Sequence, residues 1–74
     1  MTPAQCRAAR AILGMKQPTL AALAEVGLST IVDLEKERRQ VALPSIEAIR
    51  SALEAAGVIF VSENGEGAGV RLRK

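Results

Sequence analysis

A chain of 74 residues carrying a net charge of +2 has room for one hydrophobic core and leaves none for a second domain. Nearly half of it is apolar, drawn mostly from Ala, Leu, Ile and Val with Phe60 as the only aromatic residue, which favours short, closely packed helices over an all-β sandwich. With no histidine and a single cysteine, Cys6, the composition excludes an internal disulfide, a zinc finger and a His-based catalytic site.

Thr2-Pro3-Ala4-Gln5 predicts a helix start. Thr2 can accept from the Gln5 amide, Gln5 can reach back to Thr2, and Pro3 suits the first helical position, where its missing N–H costs nothing. Cys6, Ala9 and Leu13, with Ile12 beside them, make the inward stripe of a helix over about residues 3–13. Arg7 faces outward and Gly14 marks the stop. A small thiol on such a stripe reads as core, and Cys6 is assigned no chemistry.

A second short helix begins near Gln17, with Pro18 in its first turn, and runs through Leu20, Ala21, Leu23 and Ala24. Gly27 breaks the pattern before a third periodic stretch with Leu28, Ile31, Leu34 and Glu35. After the polar Arg38-Arg39-Gln40, Pro44 with Ser45 and Glu47 opens a fourth helix whose stripe is Ile46, Ile49, Leu53 and Ala56 and which Gly57 ends. Val58-Ile59-Phe60-Val61 and Val70-Arg71-Leu72-Arg73 then read as two strands of a hairpin around the turn-rich Glu63-Asn64-Gly65-Glu66-Gly67-Ala68-Gly69. No helix follows those glycines, so they form a turn, not a phosphate-binding loop, and no nucleotide or other cofactor is expected. Arg71, Arg73 and Lys74 read as a charged tail or strand edge, with a minor-groove arm as the alternative.

Leu20-Ala21, then Ala24, Val26, Ser29-Thr30-Ile31 and Leu34-Glu35 closely resemble the helix-turn-helix core of the Cro/C1-type family, also called XRE or lambda-repressor-like. The similarity extends back to Arg10 and Gln17, forward through Arg38-Arg39, and covers about residues 4–56. Small relatives ending in a strand pair, a Gly-rich stretch and a Val-Arg-Leu-Arg-like tail look similar over nearly the whole chain. The resemblance implies a mainly α fold, a four-helix lambda-repressor-like helix-turn-helix domain over residues 1–57 with a C-terminal β-hairpin and basic tail over 58–74 as part of the same domain. The physical basis is that two steeply crossed helices need a small residue at their contact, which Ala21 supplies, and that the DNA major groove admits one helix.

The family pattern implies that Gln17 contacts a phosphate, and that Gly27, Leu28, Ser29, Thr30, Val32 and Asp33 lie at the start and on the outer face of the recognition helix. Lys36, Arg38 and Arg39 follow it toward the phosphates. Arg10 and Glu35 match a structural ion pair. The common family Gly of the turn is Glu25 here, Gly27 replaces the usual Ser cap, and Leu28 and Val32 replace long hydrogen-bonding side chains, which points to readout through apolar contacts and DNA shape.

The expected protein is therefore a non-enzymatic, dimeric, sequence-specific double-stranded DNA-binding regulator, a repressor of a small operon or mobile element, without cofactor or metal. It is expected in a bacterial cytoplasm, since no apolar run approaches a membrane span and no signal peptide is evident. A domain this small is marginally stable alone, which favours a homodimer. The alternative is an interaction module, an antitoxin or antiactivator, that holds a protein partner on the Leu28 and Val32 face.

Overall fold

The computed structural model describes residues 1–62, 65 and 67–73. Four helices, α1 (Pro3–Leu13), α2 (Gln17–Ala24), α3 (Leu28–Glu35) and α4 (Leu43–Ala55), are followed by an antiparallel hairpin of β1 (Val58–Val61) and β2 (Gly69–Leu72). The fold is mainly α with a C-terminal β-hairpin, as the sequence predicts.

The start of α1 forms the expected capping box: Thr2 Oγ1 accepts from the Gln5 amide at 3.0 Å, and the Thr2 amide donates to Gln5 Oε1 at 2.8 Å. Gly14 closes the helix in the left-handed region (φ 66°), where the lack of a Cβ removes the penalty. Cys6 and Ala9 are fully buried, but Ile12, expected beside them, is 40% exposed. Small residues set the buried line of α1, so the helix lies close to its neighbours and the larger, β-branched Ile12 is left at the rim of the stripe. The fourth helix starts at Leu43, with Pro44 inside its first turn, and Ala56 is its exposed C-cap instead of the last residue of its stripe.

One cluster joins every element except β2: Cys6 and Ala9 from α1, Leu20, Ala21 and Ala24 from α2, Ile31 and Leu34 from α3, Ile49 and Leu53 from α4, and Val58 from β1, with Val41 anchoring the α3–α4 loop. Phe60 and Val70 pack against it from the hairpin. Full burial of Leu20, Ile31, Ile49 and Leu53 is worth about 1.5–3 kcal/mol each.

The ladder pairs Val58 with Leu72, Ile59 with Arg71, Phe60 with Val70 and Val61 with Gly69. The second strand thus begins one residue before the expected Val70, and Arg73, just past its end, still donates its amide to Gly57 O at 2.7 Å. Gln5 ties the hairpin to the helices: its Nε2 donates to Val61 O at 3.1 Å and Gly69 O at 2.9 Å. Arg50 lies 5.1 Å from the Phe60 ring centroid while its Nε pairs with Glu54 at 3.1 Å. The turn residues Glu63, Asn64 and Glu66, and Lys74 of the basic tail, lie outside the described residues. Among the described residues no helix is long and apolar enough to cross a membrane.

Candidate nucleic-acid interface

The α2–α3 pair is built around a three-residue turn, Glu25-Val26-Gly27. Glu25 adopts the left-handed conformation (φ 58°, ψ 43°), a position glycine occupies without strain. Its amide and that of Val26 return to the carbonyls of Ala22 and Ala21 at 3.2 and 3.0 Å, which ends α2. Gly27 is extended and caps α3 through its carbonyl, which accepts from the Thr30 amide at 3.0 Å. Ala21 is buried in the shared core with Ile31, so the two helices approach with little side chain between them.

A buried carboxylate fixes this unit to the rest of the protein. Glu35, the last residue of α3, receives Arg10 Nε at 2.6 Å and Nη2 at 2.7 Å, Gln17 Nε2 at 3.0 Å and the Cys6 thiol at 3.1 Å. Arg10 also donates to Met15 O at 3.0 Å, and Arg7 Nη1 donates to the Glu35 carbonyl. One side chain thereby connects α1 and the first residue of α2 to the end of α3. Burial alone would push the Glu35 carboxyl up, but the hydrogen bonds from Arg10, Cys6 and Gln17 and the Arg10 charge outweigh it and hold the group below its ordinary range. Burial, followed by the hydrogen bond to Glu35 and its negative charge, pushes the Cys6 thiol up to about 12, so Cys6 is a neutral hydrogen-bond donor.

The residues singled out in the sequence fall into three groups. Gly27, Leu28 and Ser29 are exposed at the start of α3, and Thr30 and Val32 are half-buried beside them. Lys36, Arg38 and Arg39 are exposed just beyond the helix, where the chain turns back through Glu37 in the left-handed region (φ 56°). The third group is engaged within the protein: Gln17 donates to Glu35, and Asp33 accepts from Arg39 Nε at 2.8 Å. The face therefore joins an apolar and hydroxyl surface at the start of α3 to cations at its end. Among the described residues no group of three or more His, Cys, Asp or Glu is placed to hold a metal ion.

No protein-family model and no curated protein matches this chain.

Two polar residues have roles the sequence reading did not assign. Gln5 was expected only to cap α1, yet its amide nitrogen also holds both strands of the hairpin. Arg7 was expected to face outward; it is exposed, but its guanidinium reaches back to the end of α3. In both cases the partner is a backbone carbonyl far along the chain, which no local pattern announces.

Proposed function

We propose that this protein is a sequence-specific double-stranded DNA-binding regulator of the Cro/C1 type, acting as a homodimeric repressor in a bacterial cytoplasm. The observation that carries the reading is the α2–turn–α3 unit, locked from behind by the Arg10–Glu35–Gln17 cluster, with the outer face of α3 free and flanked by Lys36, Arg38 and Arg39. A helix held rigidly with one face free, and cations at its end, has the arrangement needed to lie in a major groove against flanking phosphates. Occupying a promoter is sufficient to repress, so the fold needs no further activity, cofactor or catalytic group.

Enrichment of duplexes from a random library, followed by fluorescence-anisotropy titration at several salt concentrations, tests the proposal. Selective binding is expected, with log affinity falling linearly against log salt by about 0.9 for each phosphate neutralised. Lys36→Ala and Arg38→Ala should each reduce that slope by about one contact. Weak, equal binding to all duplexes would overturn the reading. The exposure of Leu28 and Leu23 favours one rival, a protein-binding module on the same fold, whose partner affinity would be nearly independent of salt.

A further inference from the structure

The chemistry displayed by the first two turns of α3 narrows what such a surface can read. Hydrogen-bonded base readout relies on Arg or Lys for guanine, Asn or Gln for adenine, and Asp or Glu for cytosine. Each of these is engaged or distant here. One N–H of the Gln17 amide is donated to Glu35, which turns the side chain toward the protein, and the carboxylate of Asp33 is held by Arg39 at 2.8 Å with its side chain only 20% exposed. Lys36, the first cation in or after α3, sits eight residues beyond Leu28, about 12 Å along the helix axis.

What remains is apolar. Leu28 is 46% exposed, and Val32, one turn further, is its neighbour on the same face. Neither belongs to the hydrophobic core or to the side chains packed against it, so the fold does not account for them. The hydroxyl of exposed Ser29 adjoins the pair; it both donates and accepts, and so discriminates weakly. The apolar group that a pyrimidine presents in the major groove is a methyl on C5.

Resting on the DNA-binding reading above, we propose that Leu28 and Val32 make this protein a reader of the pyrimidine C5-methyl group, carried by thymine or by 5-methylcytosine. Specificity then comes from burying a methyl against a leucine–valine pair, while the cations after α3 hold the helix in register on the backbone.

The test uses the full chain and the best duplex enriched from a random library. Each thymine is replaced in turn by uracil, which keeps every hydrogen-bonding edge and removes only the methyl. At one or two adjacent positions the substitution should weaken binding about fourfold, the worth of one buried methyl-sized group. Leu28→Ala should bind the thymine and uracil duplexes alike, losing the fourfold distinction that the parent makes. Because Leu28 lies outside the core and alanine favours helix, this variant keeps the fold, which circular dichroism verifies. At the same position a cytosine is compared with 5-methylcytosine: a fourfold gain identifies cytosine methylation as a source of the signal, and no gain identifies thymine. Unchanged affinity at every uracil position overturns the proposal and leaves the DNA-binding reading standing. Failure to enrich any duplex overturns both.

Discussion

Removing the Glu35 carboxylate should destabilise the protein more than any single surface change. In Glu35→Ala, Arg10 loses two hydrogen bonds of 2.6 and 2.7 Å, and Gln17 and Cys6 lose one each. Breaking a buried ion pair from one side typically costs about 3–5 kcal/mol, because the surviving charge is stranded. Arg10 keeps its bond to Met15 O and its side chain is 20% exposed, so it recovers some hydration, and about 3 kcal/mol is the appropriate magnitude. For a domain of 74 residues, whose total stability is about 4–11 kcal/mol, that is a large share and corresponds to a fall in Tm of roughly 12–24 °C. Thermal unfolding followed by circular dichroism at neutral pH measures it. The difference between parent and variant should also depend on pH with a definite sign. The folded-state pKa of Glu35 is depressed, so its stabilising contribution is complete above the ordinary carboxylate value of 4.5 and disappears as pH falls through the lower folded value. The two unfolding curves should therefore converge in acid. Replacing both partners, Arg10→Met with Glu35→Leu, should recover most of the loss, since no charge is stranded. A Glu35→Ala variant that melts within about 4 °C of the parent at neutral pH would refute the reasoning, because the carboxylate would then contribute less than about 1 kcal/mol.

Two further predictions concern backbone anchoring. Gln5→Glu preserves the capping box but sets a carboxylate against the carbonyls of Val61 and Gly69, so the hairpin should detach; hydrogen exchange of the β1 and β2 amides should quicken while the α2 amides stay protected. Equal protection of the hairpin in both proteins would count against Gln5 as its anchor. Glu25→Gly relieves a left-handed backbone and should raise stability by about 0.5–1 kcal/mol, read as a higher urea midpoint at unchanged m. A lower midpoint would show that the Glu25 side chain contributes more than its backbone strain costs.

The helices were legible because each of their signals is local. A capping residue, a proline in the first turn and an apolar repeat act within one or two turns, so Thr2-Pro3-Ala4-Gln5 and the breaks at Gly14, Gly27 and Gly57 mark boundaries without reference to the rest of the chain. The hairpin was visible for the same reason, although its register was not: Val70 and Gly69 fit the start of β2 equally well locally, and the pairing with Val61 decides between them. Periodicity marked Ile31 and Leu34 as inward but grouped Leu28 with them; the outward placement of Leu28, Ser29 and Val32 came from the family resemblance, and the packed chain leaves Leu28 46% exposed.

What local pattern could not determine was which polar atoms are already engaged. Gln17 and Asp33 are chemically suited to contact DNA, yet one is bonded to Glu35, 18 residues away, and the other to Arg39, six residues away across a chain reversal. Gln5 likewise finds its partners 56 and 64 residues along the chain. Sequence fixes the donors and acceptors each side chain carries; only the packed chain decides where they are satisfied. Here that leaves an apolar pair, not an amide or a carboxylate, at the front of the third helix.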